Sequence, residues 1–222
     1  MSAHRASLDG SKRGLREAAL WVASGPFFLL ILLAIRVVML LYSIRTAQLH
    51  PGGFDDASRF HEIATLPGRP WRDFPVEYAP IEAAILRTLA GATVVQTGIR
   101  VALLAFAADL ATFLALTRAW GRHAGVLYLV LGVPLLPFIY LRFDPIPTAL
   151  AVVAVALVER GRERGGGIAL AAAVLTKVWP IVLAPMWIIR RRHRAAGWCA
   201  AALGLGIAAW IVTAQPVRWG RC

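Results

Sequence analysis

The long apolar run at residues 18–42, interrupted by the single charge of Arg36, fixes the solvent in which this chain folds. At 1.5 Å per residue, about 20 helical residues cross a hydrocarbon layer about 30 Å thick. The run is too long for a signal-peptide core and has no convincing small-residue cleavage site, so it reads as a retained signal anchor. Further apolar segments follow at 100–117, 124–141, 146–158 and 196–213, with shorter ones at 168–176 and 181–189. Backbone polar groups in lipid must be satisfied within the segment. The expected fold class is therefore an all-α integral membrane protein, a multi-pass helical bundle of about seven spans.

Charge orders these segments. The chain is 59% hydrophobic, and its net charge of +12 is read as topology-setting loops rather than a nucleic-acid surface, so no nucleic-acid partner is expected. Arg5, Lys12, Arg13 and Arg16 place residues 1–17 in the cytoplasm. The bundle then occupies 18–213, with a first extracytoplasmic loop at 44–99 and an outer tail at 214–222. Within that loop, 56–64 and 81–94 read as short interfacial helices. Arg118 and Arg122 return the chain to the cytoplasm, and Arg142-Phe143-Asp144 lies outside. The charged turn 159–164, with a flexible Gly165-Gly166-Gly167 after it, lies inside. Segments 168–176 and 181–189 either form one span or a short hairpin. The hairpin keeps both arginine clusters inside and puts Lys177 at its tip, in a wet cavity lined by protein.

Residues 54–80 are the long hydrophilic interval, holding Asp55, Asp56, Glu62, Asp73 and Glu77, five of the twelve acidic residues. Arg59, Arg69, Arg72 and several aromatic residues accompany them. With the topology above, this loop meets Arg142, Asp144 and Lys177 on the outer face. Carboxylates beside cations at a membrane surface suit a reaction that removes a proton and releases a phosphate. Lys177 and Arg142 could meet a lipid phosphate, with Arg72 a further cation of the loop, and a loop carboxylate would act as the base.

Each of these residues also has a plain structural reading. Asp56 and Asp144 sit where helices begin and would serve as N-caps. Arg59 and Glu62 have the spacing of a surface i, i+3 pair. Trp71, Phe74 and Tyr78 are equally interfacial anchors or ligand-stacking groups. Lys177 would otherwise snorkel to the surface. Asp109, mid-span, reads as a buried structural contact with Arg36 of the first helix as its partner. The five histidines form no metal-ligand spacing, though His61 lies near the loop, and Cys199 and Cys222 form neither a disulfide framework nor a metal site.

In order along the chain stand Asp56-Ala-Ser-Arg-Phe60, Gly68-Arg-Pro-Trp-Arg-Asp-Phe-Pro-Val-Glu-Tyr-Ala-Pro80, Arg142-Phe-Asp144 and Thr176-Lys-Val-Trp-Pro180. This series resembles the GT-C membrane glycosyltransferases, and most nearly the bacterial polyprenyl-phosphate-dependent mannosyl- and arabinosyltransferases once called DUF2029. The resemblance implies a bacterial plasma-membrane enzyme that moves a sugar from a polyprenyl-phosphate donor to an extracytoplasmic lipid or glycan acceptor, with inversion. It implies Asp56 rather than Asp55 as general base and roles for Asp144, Lys177 and Trp179; Arg59, Asp73, Glu77 and Tyr78 of the polar loop are further candidate substrate contacts. No cofactor or metal is expected. Ala79 departs from the family's usual second proline, and the family's chains are longer. A truncated, non-catalytic paralogue that binds polyprenyl lipid or supports a full-length transferase is therefore the alternative expectation.

Overall fold

The computed structural model describes residues 25–50 and 56–214. The first-helix residues before 25, the basic N-terminus, Asp55 and the tail beyond 214 lie outside that range. The described elements are α1 (Pro26–Leu49), α2 (Ala57–Thr65), α3 (Pro80–Thr88), α4 (Val94–Trp120), α5 (Arg122–Gly132), α6 (Leu136–Ile139), α7 (Pro145–Glu159), α8 (Glu163–Thr176), α9 (Ala184–Ile189) and α10 (His193–Ala214). Two 3-10 turns, Val133–Leu135 and Trp179–Leu183, precede α6 and α9. No named β-strand occurs among the described residues.

Four stretches are long and apolar enough to cross a membrane: Pro26–Leu49, Val94–Trp120, Arg122–Ile139 and His193–Thr213. The other expected spans are short helices. α1 shows how lipid selects its residues: Leu32, Arg36, Leu40, Ser43 and Ala47 form one buried stripe, while Leu30, Val38 and Leu41 point outward. Pro134 and Pro137 each lack a backbone donor, and the third span accordingly breaks between α5 and α6 instead of running evenly over 124–141.

Helix occupies both ends of the loop expected at 44–99. α1 continues to Leu49, and α4 begins at Val94, capped by the Thr93 hydroxyl accepting from the Gln96 N–H at 3.2 Å. Gly98, inside the loop expected at 44–99, is a helical contact point, where an added Cβ would lie 3.2 Å from the Ala57 Cβ of α2. The interfacial helix expected over 81–94 stops at Thr88, because residues 89–93 turn the chain into α4.

The glycines at 165–167 also differ from expectation, being helical rather than a flexible linker. A Cβ on Gly166 would meet Val158 Cγ2 at 2.4 Å, and one on Gly167 would meet the Ala195 carbonyl oxygen at 2.6 Å. Their lack of side chains lets α8 lie close to α7 on one side and α10 on the other. From Lys177 the chain turns back through Trp179–Leu183 and α9. Arg190 reaches Glu159 at 3.6 Å and Arg192 reaches Glu163 at 3.5 Å, so both arms of this hairpin end beside each other. At about 21 Å, α8 falls short of a full span, which leaves the hairpin tip at the level of the polar cluster.

Inside the bundle, Asp109 accepts from Arg36 Nε at 2.8 Å and from the hydroxyls of Tyr128 and Tyr140. Arg36 also donates to the Leu129 carbonyl at 3.1 Å. The partner expected for Asp109 from sequence is the one it has. This knot ties α1, α4, α5 and the turn after α6 together with every charge compensated.

Candidate active site

The site lies where α2, the 66–79 segment, α3, the start of α7 and the hairpin tip converge. Beneath it Phe60, Ile63, Leu86, Val101, Phe143 and Ile146 form a buried core. Phe60 meets Phe143 edge-on at 6.2 Å and Tyr78 at 5.7 Å. Phe60 stands one helical turn after Asp56, and Phe143 separates Arg142 from Asp144, so this aromatic contact sets the polar side chains facing one another.

Two ion pairs result. Arg142 Nη1 donates to Asp56 Oδ2 at 2.9 Å, and Lys177 Nζ donates to Asp144 Oδ1 at 2.6 Å. Asp56 and Asp144 do occupy N-cap positions, of α2 and α7, yet neither side chain makes a capping hydrogen bond. Both carboxylates turn instead toward cations brought from distant sequence. Side-chain exposure of 36–49% across these four residues leaves them open to an incoming molecule.

Arg59 grips Glu77 with two bonds of 2.7 and 2.6 Å and holds Glu62 with a third of 2.6 Å. Its hydrogen bond holds the Glu77 carboxyl below its ordinary value, while the two carboxylates push the Arg59 guanidinium above its own. The expected Arg59–Glu62 surface pair therefore exists and also fastens α2 to the segment that presents Tyr78. Burial, helped by the Asp56 charge, raises the Tyr78 phenol to about 12.

Other members of the sequence-derived set lie apart from this cluster. The Asp73 carboxylate accepts from the Arg69 backbone N–H at 2.6 Å and closes a turn beside Gly68, whose φ of +97° suits glycine. Arg72 is 3.9 Å from Asp73 and remains on that turn. Trp179 lines a separate apolar pocket with Leu116, Trp120 and Val152. Phe74 packs under the Arg87 guanidinium, which ties the turn to α3 through the carbonyls of Leu66 and Gly68. His61 meets the Thr97 hydroxyl at 2.9 Å, linking α2 to α4.

Glu82 is the residue that sequence reasoning passed over. It is 2% exposed in the first turn of α3, and burial raises its carboxyl to about 7. Lys177 opposes that rise, while Asp144, Asp56 and Glu77 reinforce it. The available sequence signal was its spacing: Glu82, Ala83 and Leu86 share the buried face of a short helix, which puts an acid where an apolar residue normally packs.

Two clefts flank the cluster. A groove of about 490 Å³ runs from Glu77 and Tyr78 past Val178 and Leu175 to Ile207 and Trp210. At its edge Trp71 meets Trp210 at 5.4 Å while holding a backbone φ of +62°, which bulky residues rarely adopt. A second cleft, of about 320 Å³, contains Arg142 and Asp144 beside Tyr128, Phe138 and Ile139.

Membrane-length helices with an accessible carboxylate–cation cluster at one end define a membrane protein with an enzyme-like site. The family model of glycosyltransferase family 87 matches residues 77–220, and the chain belongs to that family. Glycosyl transfer is accordingly its general class of chemistry. No curated protein and no solved structure matches the chain. The matched segment contains Arg142, Asp144 and Lys177; Asp56 precedes it and joins it through Arg142.

Proposed function

We propose that the protein transfers a mannose- or arabinose-like sugar from a polyprenyl-phosphate donor to an extracytoplasmic lipid or glycan acceptor, with inversion at the anomeric carbon. The observation that carries this reading is the pairing of Asp56 with Arg142 and of Asp144 with Lys177, with an apolar groove nearby that Glu77, Tyr78 and Val178, the residue after Lys177, help to line. A prenyl chain suits the groove lined by Tyr78, Leu175 and Ile207, and its phosphate then lies near Lys177. The cleft beside Arg142 and Asp144 gives the acceptor a separate approach.

In this mechanism the donor phosphate draws Arg142 and Lys177 away from their carboxylates. Asp56, freed from Arg142, takes the proton of an acceptor hydroxyl. The hydroxyl oxygen forms the new bond to the anomeric carbon as the carbon–oxygen bond to phosphate breaks. The electron pair leaves with the polyprenyl phosphate, and the two cations stabilise its charge. Attack opposite the leaving group gives inversion. Tyr78 and Glu77 orient the sugar, with Arg59 holding Glu77 in place. The positive-inside pattern supports an extracytoplasmic location for the cluster and a cytoplasmic N-terminus.

The test uses the purified full chain in nanodiscs with radiolabelled polyprenyl-phosphate mannose and, separately, the arabinose donor. Label moving to an acceptor or to water, and falling about 10²- to 10⁴-fold in Asp56→Asn, is the expected result. Equal transfer by wild type and Asp56→Asn would remove Asp56 from the chemistry. Donor binding without turnover would instead assign the non-catalytic role.

A further inference from the structure

At the end of the bundle opposite the candidate active site, a cavity of about 520 Å³ opens between the N-termini of α8 and α10. Arg162, Arg164 and Arg194 line it, with Glu163 as the acidic member and Trp198 as an aromatic wall. Glu163 already meets Arg192 at 3.5 Å, and the nearby Glu159 meets Arg190 at 3.6 Å. The local carboxylates thus serve arginines that do not line the cavity. Arg164 lies 4.8 Å from the centre of the Trp198 ring, which fixes one guanidinium at the cavity wall.

The close approach of Gly167 to Ala195 brings the beginnings of α8 and α10 together. Their N-terminal dipoles add positive potential to that of the arginines. Below the cavity, α10 presents Arg194, Trp198, Ala201, Leu205, Ala208 and Val212, all exposed and spaced three or four residues apart. One helix face therefore runs from a cationic head into an apolar stripe.

We propose that this cavity binds the phosphate headgroup of an anionic phospholipid, with an acyl chain lying along the α10 stripe. The arginines recognise the phosphate, and the stripe favours a lipid over free phosphate. The site is distinct from the proposed donor groove and does not depend on the glycosyl-transfer reading.

The test is native mass spectrometry of the detergent-purified full chain titrated with phosphatidylglycerol or phosphatidylcholine. Wild type is expected to retain phosphatidylglycerol preferentially, and R162Q/R194Q to weaken that retention by about thirtyfold, the factor expected for two near-surface arginine contacts. R190Q/R191Q removes equal charge outside the cavity and is expected to change retention by less than about threefold. R162K/R194K keeps the charge and the preference, separating loss of binding from loss of fold. Equal retention of the two lipids, or equal loss in both glutamine variants, would overturn the site. Displacement of phosphatidylglycerol by an equal concentration of inorganic phosphate would overturn its assignment to lipid.

Discussion

Arg36–Asp109 and Arg142–Asp56 are the same chemical pair at nearly the same separation, 2.8 and 2.9 Å. Their surroundings differ. The first has both side chains 1% exposed, with two tyrosine hydroxyls and a backbone carbonyl completing the network. The second is 49% and 36% exposed and stands beside a similarly open Lys177–Asp144 pair. A buried pair cannot lose one member without stranding a charge, whereas an exposed pair can exchange its partner for water or ligand at little cost. The first contact holds four parts of the bundle together; the second leaves groups available for chemistry.

The largest effect that would sharpen this contrast is the loss of turnover in Asp56→Asn, accompanied by a stability change below about 1 kcal/mol. Equally large losses of activity and thermal stability would assign Asp56 a structural role. In the buried network, Arg36→Met is expected to cost about 3–5 kcal/mol by leaving Asp109 uncompensated. Denaturation of the purified protein measures this, and a change below about 1 kcal/mol would break the comparison.

Lys177→Met is expected to lower turnover by about 10²- to 10³-fold through loss of charge at the departing phosphate. Its unfolding transition should stay near that of wild type because the pair with Asp144 is exposed. Unchanged kcat and donor KM would remove Lys177 from the phosphate site.

The smallest effect concerns Glu82, whose carboxyl is raised from 4.5 to about 7 by burial. Between those values the folded chain holds a proton that the unfolded chain releases, so this group's stabilising contribution falls as pH rises through about 7. Glu77, held low by Arg59, contributes with the opposite sign below the ordinary carboxylate range. Asp56, Glu77, Asp144 and Lys177 are the charged neighbours that act on Glu82. Unfolding of wild type and Glu82→Gln at pH 5 and pH 8 tests this sign: the variant is expected to lose the Glu82-dependent decline. Identical pH profiles would place the titration elsewhere.

Local chemistry made much of the architecture legible in the sequence. Apolar length marked the membrane helices, and the arginine clusters at 159–164 and 190–194 favoured the hairpin whose ends now meet through Glu159 and Glu163. The mid-span Asp109 called for an internal cation, and Arg36 was the available one in the first helix. These inferences succeeded because a charge or a backbone polar group in lipid has few inexpensive alternatives.

Tertiary packing decided what sequence spacing left open. Gly98 and Gly166-Gly167 carried the same local signal as loop glycines, and only neighbouring backbones made them points of close helix contact. Arg72, Asp73 and Trp179 had suitable chemistry but fall on a turn or a separate pocket. Glu82 joined the site because α3 buries it beside the cluster. The sequence alone determined which segments seek lipid and which charges require compensation; the fold decided which charges meet, because that depends on side-chain direction and the closeness of helices far apart along the chain.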